Sequence, residues 1–206
     1  MDLLQLFKTT GGYLTAQEAR AAGFHNQQLR RLLHQQTIEQ PQPGVYRLVN
    51  HFPTNFEDIL EVQLRVEDAR LCLISALDLH GLTTTRLSRL RFAVPHKKKF
   101  PTFSYPPVEV FYFQNSHHSY GQLDVPIEGT PRMVRTYTPE KTLLDLLKYH
   151  TRFGRDLYLE GLKNYLKRNW PHHLIEVARE MPIRGKNTLL STLLHDLEVI
   201  LHDIET

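Results

Sequence analysis

Cysteine is nearly absent from this sequence: Cys72 is the one residue of its kind in 206. It lies in the apolar stretch LCLISAL, where a small buried side chain is the ordinary interpretation. A single thiol excludes a disulfide-stabilised fold and a metal site built from several cysteines. This usage is typical of the reducing cytoplasm, where we expect the protein to act.

Long apolar runs are absent as well. No segment approaches the roughly 20 apolar residues that a membrane-spanning helix needs. The N-terminal DLLQLF is too short for a secretory signal and contains Asp2. We therefore expect no membrane contact, and a chain of this length suggests one or two domains with a real core.

Signatures of catalysis are also missing. The sequence contains no G-x-S-x-G, no phosphate-binding loop and no G-x-G-x-x-G. His195 and His202 share a helix face, but seven residues separate them by roughly 10.5 Å, too far to share one zinc ion. A metal-dependent nuclease would need clustered carboxylates, whereas Glu109, Asp124 and Glu128 stand alone. We expect no enzyme activity, no metal and no cofactor.

The most informative absence is that of carboxylates between Glu18 and Glu39. Surface helices usually mix Glu with Lys, because opposite charges three or four residues apart support a helix. The stretch HNQQLRRLLHQQ, residues 25–36, instead combines leucine with amide, guanidinium and imidazole groups. A surface of this kind is suited to a polyanion.

The first fifty residues contain a series of local folding signals. Residues 3–8 (LLQLFK) predict a short helix that ends near Gly11-Gly12. Thr15 and Glu18 have the spacing of a capping box at the start of the helix AQEARAA. Gly23 suits the left-handed position that ends this helix.

A second helix follows after only GFH, with Asn26 as its expected N-cap. Two short helices joined by a brief turn with glycine are typical of a helix-turn-helix. Leu29, Leu32 and Leu33 form one apolar seam, so the polar side chains point elsewhere. Because arginine pairs with guanine and glutamine with adenine, these side chains suit DNA base edges. The residues of this helix that we expect to contact DNA are Asn26, Gln27, Gln28, Arg30, Arg31, His34 and Gln35.

The segment TIEQPQPGVYRLV predicts a β-hairpin with Gly44 in its loop. Helix, helix-turn-helix and hairpin together are the order of a winged helix. Gln40, Gln42 and Arg47 lie on or near the predicted wing and join the expected DNA contacts. The alternative is that Gln and Arg merely keep a small helical subdomain soluble; the agreement of cap, turn, helix face and wing favours DNA binding.

The remaining residues predict an α+β domain. Residues 55–80 indicate helix, with Asp68 as a position where it can break. From about residue 90 short extended runs predict a small, mainly antiparallel sheet before several more helices. We therefore divide the chain into a winged helix-turn-helix domain, 1–50, and a C-terminal α+β domain, 51–206. The last helix has apolar residues at spacings of three and four, which favours a core face over a dimer seam. They are Leu190, Leu193, Leu197, Ile200 and Ile204.

A second basic zone occurs in the C-terminal domain, where no acid lies between Leu79 and Val108. Its centre is HKKKF, residues 96–100. Two interpretations stay open: a solvated loop, or a patch that contacts phosphate or a protein partner. The cations of this zone are Arg86, Arg89, Arg91, Lys97, Lys98 and Lys99.

These patterns resemble a known family. The N-terminal GGYLTAQEARAAGFHNQQLRRLLHQQTIEQPQPGVYRL is similar to the winged-helix start of the AbiEi antitoxins of type IV (AbiE) toxin–antitoxin and abortive-infection systems. SALDLHGLTT at residues 75–84 and TPEKTLLD at residues 138–145 resemble two blocks of that family's second domain. Residues 170–206 have no assured counterpart there.

The resemblance implies a bacterial DNA-binding autorepressor that takes part in phage defence. Its second domain would counter a nucleotidyltransferase-like toxin, and direct contact with that toxin is not required in type IV systems. The implied DNA ligand is the protein's own promoter. Since one winged helix buries little surface, we expect repeated half-sites, and a homodimer is one arrangement that would fill them. A stand-alone winged-helix regulator without a toxin and, less favoured, a DNA-targeted nuclease stay open as alternatives.

Overall fold

The computed structural model describes residues 2–205, which form two compact units. The first unit comprises the chain up to Ala69 together with Asp124–Arg135. The second comprises Arg70–Leu123 and the chain from Thr136 onward. Besides residues 1–50, the first unit thus includes a further helix and most of a hairpin.

The first unit combines short helices with a three-stranded sheet. The sheet is antiparallel, with the strand order β1-β3-β2. Helices and hairpin lie where the sequence predicted them, whereas β1 was not predicted. The elements are α1 (Leu3–Thr9), β1 (Tyr13–Thr15), α2 (Ala16–Ala21), α3 (Asn26–His34), β2 (Ile38–Gln42), β3 (Val45–Leu48) and α4 (Glu57–Arg65).

Local hydrogen bonds set the limits of α2 and α3. Glu18 N donates to Thr15 Oγ1 at 3.0 Å and Thr15 N donates to Glu18 Oε2 at 2.7 Å, which confirms the predicted capping box. The predicted cap of α3 is wrong by one residue, since His25 and not Asn26 occupies that position. The reason is Gln28, whose Oε1 accepts from His25 N at 2.8 Å and so completes a capping box one residue earlier.

The second unit is a mixed α+β structure rich in helices. Strands β7 (Gln122–Pro126) and β8 (Met133–Tyr137) pair with each other; residues 124–135 of this hairpin belong to the first unit and its two ends to the second. The other elements are β4 (Arg70–Leu71), α5 (Leu73–Leu79), β5 (Leu90–Pro95), β6 (Val108–Phe113), α6 (Asn115–Ser119), α7 (Pro139–Lys148), α8 (His150–Phe153), α9 (Arg155–Leu166), α10 (Pro171–Glu180) and α11 (Lys186–Glu205).

The prediction of one mainly antiparallel sheet is wrong in part. β4 is antiparallel to β5, but β5 and β6 are parallel, with Leu90 opposite Val108 and Pro95 opposite Phe113. Parallel neighbours need a crossover of about a dozen residues or more, and residues 96–107 supply it. Short extended runs separated by proline look alike in both arrangements, so the sequence pattern did not distinguish them.

Helices form most of the core of the second unit. Helix α7 is buried along most of its length, and its Leu143 and Leu144 have no exposed surface. Leu162 of α9 is likewise fully buried. In α11, Leu193 and Leu197 are buried with Ile200, which confirms the predicted core face; Leu190 packs partly buried against it. The predicted Ile204 lies outside the described side chains. Within residues 2–205, no helix is both long and apolar enough to cross a membrane.

Candidate nucleic-acid interface

Helix α3 buries one side and exposes the other. Leu29 is buried, and Leu32 and Leu33 pack half-buried against the core that includes Phe7 and Ile38. The polar residues predicted to contact DNA are all exposed: Asn26, Gln27, Gln28, Arg30, Arg31, His34 and Gln35. The fold thus brings the predicted helix residues together on one accessible surface, which we call the α3 face.

The α3 face borders an open concavity of about 810 Å³. The turn between α2 and α3 contributes Gly23 and His25 to its lining, and α3 contributes the rest. None of the lining side chains is a carboxylate; those of α3 are Gln27, Gln28, Arg30, Arg31, His34 and Gln35. The surface therefore offers guanidinium, imidazole and amide groups to an anionic ligand.

Gln28 has two roles in this arrangement. Its Oε1 accepts the hydrogen bond from His25 N and is occupied at the start of α3. Its side-chain NH₂ group is the part that remains for a ligand. Gln28 therefore positions the helix as well as contributing to the α3 face, a role that its polarity alone did not reveal.

Glu18, the acid that precedes the carboxylate-free stretch, is neutralised by Arg132. Arg132 Nη1 lies 2.6 Å from Glu18 Oε1, and Nη2 donates to Oε2 at 3.1 Å. Arg132 also donates to the carbonyl oxygens of Thr10 and Tyr13. Partial burial opposes ionisation, but the hydrogen bonds from Arg132 and Thr15 hold the pKa of Glu18 below its usual range. Sequence reasoning missed Arg132, which is 114 residues away.

Arg47 lies in an internal network and not on the α3 face. Its Nε donates to Glu39 at 2.8 Å, and its Nη1 donates to Glu57 at 2.8 Å and to Glu61 at 3.0 Å. Nη1 also donates to the hydroxyl of Tyr13 at 3.2 Å, and burial raises the pKa of that tyrosine to about 12. The arginine side chain is only 18% exposed. Its charge is therefore matched inside the first unit.

The two glutamines of the predicted wing differ in accessibility. Gln40 is exposed, whereas Gln42 is 5% exposed and accepts a hydrogen bond from Arg65 at 3.3 Å. Residues two apart normally share a face of a strand, but the pairing of β2 with β3 shifts register between Glu39 and Gln42. Of the two, only Gln40 is presented to a ligand.

The second basic zone lies in the second unit. Lys97, Lys98 and Lys99 are exposed on the crossover between β5 and β6, and Arg86 and Arg89 are exposed before it. Arg91 is different, because its Nε lies 2.9 Å from Glu109 Oε2 and its side chain is 13% exposed. The remaining five cations form what we call the crossover patch.

A buried polar cluster in the second unit was not predicted. Lys141 Nζ donates to Asp145 Oδ2 at 2.7 Å, and His117 Nε2 lies 2.7 Å from Asp145 Oδ1. Although burial opposes ionisation, Lys141 and His117 hold the pKa of Asp145 below its usual range. Lys141 has no exposed surface and lies 3.7 Å from the centroid of the Tyr137 ring. These groups are closed off from solvent, which suits a structural role.

No group of three or more His, Cys, Asp or Glu side chains is placed to hold a metal ion in the described part of the chain. The adjacent pair His117-His118 illustrates why: His117 turns to Asp145, whereas His118 approaches Gln122 and the Tyr137 ring.

Comparisons with known proteins agree with this picture of the N-terminus. The crystal structure of the RV2827C protein from Mycobacterium tuberculosis is similar with a TM-score of 0.55 and 16% identity, over 94% of this chain and 74% of that chain; this likeness concerns the fold alone. No curated protein matches the chain. Residues 1–49 match the family described as "Transcriptional regulator, AbiEi antitoxin", which confirms the resemblance inferred from the sequence for that part of the protein.

Proposed function

We propose that this protein is a cytoplasmic DNA-binding autorepressor and the antitoxin of a type IV toxin–antitoxin system. The observation that carries the proposal is the α3 face, whose exposed side chains include arginine and glutamine but no carboxylate. It belongs to the segment 1–49 that matches a family of transcriptional regulators. In this proposal α2 and α3 are the helix-turn-helix, and β2 and β3 are the wing.

The recognition helix of such a motif lies in the major groove, with its N-terminal residues nearest to the bases. Gln27 stands at the start of α3, and Arg30 and Arg31 follow one turn later. Glutamine reads adenine and arginine reads guanine through paired hydrogen bonds. Gln40 extends the contact along the wing, and the protein's own promoter is the proposed ligand.

We expect Arg31→Ala and Gln27→Ala each to weaken promoter binding by about 1–3 kcal/mol and to relax preference at one base position. Gel-shift titrations against a set of single-base operator variants measure both effects. Arg184→Ala, which removes an exposed arginine of the second unit, is the matched control and should bind like the parent. Unchanged affinity and preference in both α3 variants would contradict the assignment.

The antitoxin part of the proposal concerns the second unit. Support comes from its crossover patch, which is exposed, and from the family description of residues 1–49. The partner would be a nucleotidyltransferase-like toxin encoded beside this gene, countered with or without direct contact. Co-expression of that neighbouring gene tests the idea: growth should stop without this protein and resume with it. Arrest that the full chain does not relieve would leave a regulator without antitoxin function.

A further inference from the structure

A further exposed segment without acidic residues lies in the second unit, around the only tryptophan of the sequence. No Asp or Glu occurs from Gly161 to Ile175. Trp170, between α9 and α10, is 78% exposed. Tryptophan is highly buried on average, so a ring left in water needs an explanation.

The turn that carries Trp170 is held from both sides. On one side, the carbonyl oxygen of Tyr165 accepts hydrogen bonds from Arg168 N at 3.1 Å and from Asn169 N at 3.0 Å. Tyr165 is itself buried, and its hydroxyl donates to Glu140 at 2.7 Å. On the other side, Leu174 of α10 has no exposed surface. The ring is therefore presented by an anchored turn.

The chain segment on both sides of the ring exposes cationic and not apolar side chains. A protein interface normally surrounds an aromatic anchor with further apolar area. Here the exposed neighbours along the chain are polar or basic, and the nearby Glu140 is buried, with its Oε1 3.4 Å from His173 Nδ1. These neighbours are Lys163, Lys167, Arg168, Asn169, His172 and His173.

A single flat ring among cations is suited to an unpaired nucleotide. Bases stack on aromatic side chains while basic groups contact the phosphates, and this mode tolerates many sequences. A duplex does not offer the same contact, because its bases are already stacked on each other. We propose that Lys167, Arg168 and Trp170 bind single-stranded nucleic acid, with the indole stacked on a base and the two cations on its phosphates.

The single tryptophan makes the test direct, since the intrinsic tryptophan fluorescence of the full-length protein reports on Trp170 alone. We expect oligo(dT) and oligo(U) of about 12 nucleotides, a length within the usual range of such sites, to quench the emission at low salt. Promoter duplex at saturation should leave the emission unchanged. Quenching by one oligonucleotide only would support the site and show that it distinguishes the two, and oligo(dU) would then separate the effect of the sugar from that of the base methyl group.

Variants separate stacking from simple charge attraction. Trp170→Ala should weaken binding of a labelled oligonucleotide about tenfold, whereas Trp170→Phe should retain most of it. Lys167→Gln with Arg168→Gln should reduce the slope of log affinity against log salt by about 1.4, since each single-strand phosphate contact contributes about 0.7. Phe52→Ala, which removes the 77% exposed aromatic ring of the first unit, is the matched control and should change nothing.

The proposal is overturned if neither oligonucleotide quenches the emission, or if Trp170→Ala binds like the parent. Quenching by vesicles of anionic lipid but by neither oligonucleotide would likewise overturn it and assign the ring to a lipid surface. Circular dichroism of each variant verifies that the fold is intact, so a loss of binding is attributable to the altered surface.

Discussion

The α3 face and the buried cluster around Lys141 use positive charge in opposite ways. Arg30 and Arg31 are exposed on a helix that carries no acid, so their charges are available to a ligand. Lys141 has no exposed surface, and its charge is matched by Asp145. A cation is available for binding only where the fold does not provide it with a carboxylate.

The first unit contains both kinds of cation close together in sequence: arginines that are exposed without an acid, and arginines that are paired with one. Its acids on either side of the carboxylate-free stretch are each paired with an arginine, Glu18 with Arg132 and Glu39 with Arg47. These ion pairs neutralise the charges of two acids, and they leave Arg47 unavailable to a ligand. The availability of the α3 arginines thus depends on where the acids of the unit are paired.

The largest expected effect comes from breaking the buried cluster. Asp145→Asn should lower the free energy of unfolding by about 3–5 kcal/mol, because Lys141 would remain buried without a charge partner. Urea unfolding at pH 7 measures it. A double variant, Lys141→Met with Asp145→Leu, should recover part of the loss: no unpaired charge remains, although His117 Nε2 loses its partner. A single variant as stable as the parent would show that this pair is not needed.

The stability that the pair of Lys141 and Asp145 provides should depend on pH. The pKa of Asp145 is lowered in the folded state, so its contribution is present above the unfolded pKa of about 3.9. It is lost as the pH falls through the lower, folded pKa. The difference in stability between the parent and Asp145→Asn should therefore shrink in acid.

Arg47 gives the next largest effect and tests whether it is structural or a DNA contact. Arg47→Met should lower the free energy of unfolding by about 1.5–3 kcal/mol, since Glu61 is 5% exposed and would lose the positive charge that Arg47 places beside it. Burial already raises the pKa of Glu61. Promoter preference should be retained under conditions where the variant is folded. A variant with parental stability but altered base preference would show that Arg47 contacts DNA bases.

Local sequence signals predicted most elements of the first unit. Thr15 with Glu18 marked the start of α2, Gly23 marked its end, and the leucine seam set the exposed side of α3. Each of these signals acts within four or five residues, so a single sequence contains the whole interaction. The exposure of the α3 face was predictable for the same reason.

Pairing over long distances was not predictable. Arg132 reaches Glu18 across 114 residues, and β5 pairs in parallel with β6 although their sequences would also suit a hairpin. Lys141 and Asp145 have the spacing of an ordinary surface pair, and only the packing of α7 buries them. Burial is a property of the tertiary structure, which composition and periodicity describe only indirectly.

The pair of Glu18 with Arg132 should contribute less than the buried groups. Glu18→Gln should lower the free energy of unfolding by about 1 kcal/mol, as is usual for a weakened cap and a partly solvated ion pair. The pKa of Glu18 is lowered in the fold, so this contribution is present above its unfolded pKa and disappears as the pH falls through the folded one. A double-mutant cycle with Arg132→Met isolates the pair, and zero coupling would contradict its role.

The smallest effect on stability and DNA binding is expected at the crossover patch, whose lysines are exposed like the α3 arginines but lie in the other unit. Replacing Lys97, Lys98 and Lys99 by Gln should change the free energy of unfolding by less than about 0.5 kcal/mol. We expect promoter binding to be unaltered and protection against the toxin to disappear, because the proposed antitoxin function belongs to the second unit.

Two measurements on this one variant decide between the interpretations of the patch. If the lysines bind duplex phosphates instead, the salt slope of promoter binding should fall by about 0.9 for each phosphate that is no longer neutralised, with base preference unchanged. A matched variant that replaces Lys8, Lys148 and Lys186 by Gln removes the same charge elsewhere and should keep protection. If both the salt slope and the protection are unaltered, the lysines only solvate the crossover, and exposure of a cation alone does not make a binding surface.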